Sequence, residues 1–78
     1  MDARPRKRSL TLNGHRTSVS LEDAFWVAFL RMAEEEGLSI NALAMKIDAG
    51  RGVTSGLASA IRVAILRHEQ RKSARATD

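Results

Sequence analysis

The chain has 78 residues, a formal net charge of +4, no cysteine and two histidines, His15 and His68. Without thiols there is neither a disulfide nor a thiolate metal site, and the two histidines lie too far apart in sequence to give a metal-ligand spacing. A chain of this size builds only a marginal core, so with disulfides and metals set aside, association between copies is the remaining staple.

Residues 1–8, with Pro5 and the cations Arg4, Arg6, Lys7 and Arg8, read as a disordered basic arm. Leu10 and Leu12 then alternate with Ser9 and Thr11, and Thr17, Val19 and Leu21 alternate with Arg16, Ser18 and Ser20. A period of two with β-branched residues is a strand signal. Asn13-Gly14 between the runs is a type I′ hairpin signal. The segment is either a short hairpin or a bend leading into one strand, and residues 16–20 are strand in both cases.

A first helix is expected from Ser20 as N-cap, with Glu22 and Asp23 in its first turn complementing the dipole. Leu21, Phe25, Ala28, Phe29 and Met32 recur at helical spacing, and Trp26, Val27 and Leu30 widen the apolar face beyond one stripe. Gly37 ends it as a C′ residue. Glu34, Glu35 and Glu36 in the last turn oppose the dipole, and nothing in this helix accounts for them. Ser39 caps a second helix carrying Ile40, Leu43, Ala44 and Ile47, which breaks at residues 48–52. Thr54 or Ser55 caps a third, with Leu57, Ile61, Ala64, Ile65 and His68 on one side and Val63 and Leu66 partly off it. From Arg67 the chain becomes basic and poor in apolar residues. The expected organisation is an arm (1–8), a domain (9–70) and a basic tail (71–78).

Charge follows this plan. Residues 1–20 and 51–78 each carry a net +4, while residues 21–50 carry −4. Basic ends suit a polyanion such as nucleic acid, although charged ends also serve simply to keep a small protein dissolved. No apolar run approaches the roughly 18 residues of a membrane span. The basic start leads into Ser9-Leu10-Thr11-Leu12-Asn13-Gly14 rather than an apolar signal core, so a cytoplasmic protein is expected. A lone strand would leave its backbone groups unpaired, and pairing between two chains would satisfy them.

Arg16-Thr17-Ser18-Val19-Ser20-Leu21 before a helix, then Ala33-Glu34-Glu35-Glu36-Gly37-Leu38-Ser39-Ile40-Asn41, resembles the ribbon-helix-helix repressors of the Arc and CopG type. From about Lys7 to Gln70 the chain is also similar to a bacterial family of short ribbon-helix-helix domain proteins. The resemblance implies a mainly α fold with one N-terminal strand or short hairpin, an intertwined dimer, and here an extra C-terminal helix. It implies a transcription regulator of the repressor kind, a homodimer whose two-stranded ribbon reads the DNA major groove. Arg16, Ser18 and Ser20 would meet base edges, where arginine can bind guanine bidentately and serine can donate or accept. Thr17, Val19 and Leu21 would face inward, and Val19, Leu21, Phe25, Phe29, Leu43 and Ile47 would build the dimer core. Phosphates would be met by Arg4, Arg6, Lys7 and Arg8 and by the start of the second helix at Ser39, Ile40 and Asn41. If the third helix is instead the family's second, that contact moves to Thr54 and Ser55.

No phosphate loop, nucleophile elbow or metal spacing is present, and catalytic pockets are larger than a core of this size is expected to enclose, so neither an enzyme nor a cofactor is expected. A protein-interaction module is the alternative: an antitoxin-like dimer whose C-terminal helix, with Val63 and Leu66, binds a partner protein. A membrane-surface role for the third helix ranks below both, because it carries few large apolar residues.

Overall fold

The computed structural model describes residues 4–51 and 56–76. Strands β1 (Arg6–Leu12) and β2 (His15–Leu21) form an antiparallel hairpin, followed by helices α1 (Asp23–Glu36), α2 (Ile40–Gly50) and α3 (Leu57–Ala76).

The hairpin turns on Asn13 (φ 52°) and Gly14 (φ 80°), the two consecutive left-handed residues of a type I′ turn, whose twist matches that of the strands it joins. Leu12 pairs with His15 beside the turn and the register runs back to Arg6 opposite Leu21. Of the two sequence readings, the hairpin is the observed one, and each strand finds its partner within the chain. Three residues of the expected arm, Arg6, Lys7 and Arg8, are strand residues.

Ser20 is not the cap of α1. Leu21, completely buried, is still paired with Arg6, which holds the chain extended through Ser20; Glu22 occupies the N-cap and makes no side-chain capping bond. At the other end Gly37 (φ 69°) closes a Schellman motif: its N–H donates to the Glu34 carbonyl and Leu38 N–H to the Ala33 carbonyl. Ser39 caps α2 as expected, its hydroxyl accepting from Ala42 N–H at 3.1 Å. The expected caps of α3, Thr54 and Ser55, lie outside the described residues. The basic tail is helical through Ala76, continuing α3 past Arg71, Lys72 and Arg75.

The core lies between the inner face of the hairpin and the three helices. Leu10, Val19 and Leu21 meet Phe29, Met32 and Ala33 of α1, Leu43 and Ala44 of α2, and Ile61 and Ile65 of α3. Of the residues assigned to a dimer core, Val19, Leu21, Phe29 and Leu43 are already buried within one chain, while Phe25 and Ile47 are half-buried.

The acidic end of α1 now has a cause. Glu35 accepts from Lys72 Nζ at 2.9 Å and lies 2.7 Å from His68 Nε2, while Glu36 accepts from Lys46 Nζ at 3.0 Å. One helix end thereby anchors both α2 and α3. The hydrogen bond from His68, and then that from Lys72, holds the Glu35 carboxyl below its ordinary value, and the same carboxylate raises Lys72.

Candidate nucleic-acid interface

A strand alternates its side chains between two faces, and in this hairpin the alternation sorts residues by chemistry. Lys7, Ser9 and Thr11 of β1 and Arg16, Ser18 and Ser20 of β2 are all exposed. The register sets Lys7 opposite Ser20, Ser9 opposite Ser18 and Thr11 opposite Arg16. The outward face is thus a grid of hydroxyls with a cation at each of two diagonal corners, and neither strand contains an acidic residue. From Arg16 to Ser20 the grid spans about 13 Å at the rise of a strand, comparable with the roughly 12 Å width of a DNA major groove.

Arg16, Ser18 and Ser20 therefore stand together on one face, as the sequence alternation implied. Ser9 and Thr11 share it but were not singled out, although their alternation with Leu10 and Leu12 carried the same signal. Lys7 joins this face instead of a loose arm. Its neighbours turn the other way: Arg8 pairs with Asp23 and lies 5.4 Å from the Trp26 ring centroid, and Arg6 Nε lies 3.7 Å from the same carboxylate. Among the described residues Arg8 Nε is buried with no hydrogen bond, and it is Asp23 and Trp26 that hold this guanidinium at the start of α1. Arg4 is exposed, just before β1.

Both edges of the hairpin are flanked by helices. At the β1 edge, Asn41 Oδ1 accepts from Thr11 N–H at 3.0 Å, which seats the start of α2 beside the outward face. Ser39 Oγ is used in capping and Ile40 packs against the core, so what this helix start offers an anion is its backbone N–H groups. At the β2 edge, Arg62 of α3 donates to the Ser20 carbonyl at 3.1 Å and forks onto Glu22 at 2.8 and 3.1 Å, its guanidinium 5.6 Å from the Phe25 ring centroid. The hydrogen bond from Arg62, with Glu22's own backbone N–H, lowers the Glu22 carboxyl. Sequence reading gave Arg62 no role, since no local pattern marks a contact across 40 residues.

Among the described residues no group of three His, Asp or Glu side chains could hold a metal ion, and no helix is long and apolar enough to cross a membrane. The sequence model of one family, described as "Ribbon-helix-helix domain", matches residues 5–69. No curated protein and no solved structure matches the chain.

Proposed function

Because this chain belongs to the ribbon-helix-helix domain family, whose members are generally DNA-binding transcription regulators or antitoxins and typically not enzymes, we propose that it is a sequence-specific DNA-binding regulator. It acts as a cytoplasmic homodimer and reads the major groove with the outward face of its hairpin. The observation that carries this reading is the composition of that face: six exposed polar residues in register, two of them cations, none acidic, on a ribbon sized for the groove.

Arg16, Ser18 and Ser20 are the base readers, with Ser9 and Thr11 beside them. Lys7 and Arg4 meet phosphates, as do the N–H groups at Ile40 and Asn41, which the Asn41–Thr11 bond holds against the ribbon edge. Arg6 and Arg8 mainly fix the hairpin to α1. Two copies related by a dyad would present two such faces to a palindromic site.

Selection of bound sequences from a random duplex pool tests the reading. An enriched, palindromic site is expected, and absence of duplex binding even at low salt defeats it. Unfolding midpoints that rise with protein concentration are the expected sign of the homodimer.

One observation favours the alternative, a module that docks a partner protein. Val63 and Leu66 are about half exposed, at 45% and 56%, and with Phe25 and Ile65 they line an apolar groove of about 380 Å³ between α1 and α3. Leu66→Asp would then abolish partner capture while leaving duplex binding intact.

A further inference from the structure

A second groove, of about 460 Å³, runs between α2 and α3 and is closed at its base by the C-terminal half of α1. Its floor is apolar: Met32, Leu43, Ile47, Ala60 and Ala64. The small side chains of Ala60 and Ala64, with Gly50, leave the room. Among the described residues its walls carry four cations, Lys46, Arg51, Arg67 and Arg71, against one acid, Glu36. Glu36 is taken by Lys46 at 3.0 Å, and Asp48 bonds Arg51 at 2.5 Å. Arg67 and Arg71, one turn apart on α3, have no acidic partner among the described residues.

We propose that this groove is a binding site for a small amphipathic carboxylate, with its hydrocarbon part on the Leu43–Ile47–Ala64 floor and its carboxylate held by Arg67 and Arg71. The volume lies within the roughly 300–1,000 Å³ of small-ligand sites. Apolar lining with a few convergent polar groups is the common form of such sites, and a guanidinium matches a carboxylate bidentately. No strand residue lines the groove, so it is separate from the hairpin's outward face and does not depend on the DNA reading.

Charge decides between occupants. A second copy docking through the same groove by a dyad would face this lining, four cations against one acid among the described residues, with an identical lining, a charge balance that opposes association. A DNA phosphodiester would satisfy the cations but gain nothing from the apolar floor. An anion with a hydrocarbon body uses both.

Decanoate, kept below its micelle concentration, is the probe, with decanol as the uncharged match and anionic lipid vesicles as a separate arm. Titration calorimetry on the full chain is expected to show one decanoate bound per chain, decanol binding more weakly. The double variant Arg67→Gln, Arg71→Gln is expected to lower decanoate affinity by about tenfold or more, the loss of a charge-assisted contact, while leaving decanol unchanged. Ala64→Phe, which fills the floor, is expected to abolish binding of both; the arginine variants, at exposed positions, keep the test decisive if that chain does not fold. Decanoate binding no tighter than decanol, or equally tight to the double variant, overturns the proposal. So does capture of the chain by vesicles with no binding of free decanoate. If Ala64→Phe dissociates a dimer in the absence of any ligand, the groove is an interface between copies and the proposal fails.

Discussion

The two faces of the hairpin are built from alternating residues of the same two strands and answer to different demands. Inward, Leu10, Val19 and Leu21 are sealed by the helices, and Arg8 is spent on Asp23 and Trp26. Outward, Lys7, Ser9, Thr11, Arg16, Ser18 and Ser20 touch little of their own chain. Neighbours in sequence such as Lys7 and Arg8 are thereby assigned to separate tasks by the pleat alone. On the proposed DNA-binding reading, stability and recognition can be changed independently on this hairpin, one residue at a time.

The sharpest way to break this separation is on the inner face. Leu10→Ala, at a site 2% exposed, is expected to cost about 2–5 kcal/mol in denaturant unfolding. Ser18→Ala, on the outer face, should stay within about 0.5 kcal/mol. A Ser18 loss comparable with that of Leu10 would show that the outer face is covered in the native protein.

Arg16→Ala carries the next effect, on a different axis. It is expected to remove about 1–3 kcal/mol of discrimination between the selected duplex and its single-base variants, with the unfolding midpoint unchanged. Equal weakening on every duplex would make Arg16 a phosphate contact only.

The Lys7/Arg8 pair tests the pleat between adjacent residues. Arg8→Ala is expected to destabilise the fold by about 1–2 kcal/mol through the lost ion pair and the lost contact with Trp26. Lys7→Ala should leave stability alone, weaken binding on all duplexes alike and reduce the salt slope by about one. Exchanged outcomes would mean that the register is off by one residue.

The smallest effect lies away from the hairpin, where pH can probe the clasp on Glu35. Its carboxyl is lowered in the folded chain by His68 and Lys72. The associated stability is therefore complete above the ordinary carboxylate value and is lost as pH falls through the depressed native one. Lys72 is raised, so its share is complete below the ordinary lysine value and is lost as pH climbs through the raised one. Glu35→Gln should flatten the stability profile at both ends and leave the two hairpin faces untouched. Thermal melts from acid to alkaline pH, compared with the unsubstituted chain, check this.

The hairpin was legible in the sequence because its information is local. Alternation fixes which residues share a face, and Asn13-Gly14 fixes the turn, so the sequence alone groups Arg16, Ser18 and Ser20. Helix ends were legible where a cap is local, as at Gly37 and Ser39, and misread at Ser20, where a tertiary demand prevails: Leu21 must reach the core as a strand residue. What could not be read were contacts between elements. The Glu34-Glu35-Glu36 run looks like a fault in an isolated helix and becomes an anchor only once His68, Lys72 and Lys46 are brought to it. Arg8 looked like one more cation of an arm because nothing nearby in sequence reveals Asp23 and Trp26 beneath it. The interchain argument from a lone strand also lost its premise, since β1 supplies the partner that another copy was expected to provide.

Two hydrogen bonds described above hold the hairpin from opposite sides: Asn41 to the Thr11 N–H on one edge and Arg62 to the Ser20 carbonyl on the other. A free two-stranded ribbon coils strongly and is only marginally stable in water. Here the ribbon is strung between two helices, like a strip fastened in a frame. Its pitch, and with it the angle at which the side chains of Arg16 and Lys7 leave the surface, is set by how far apart α2 and α3 stand as well as by the strands themselves.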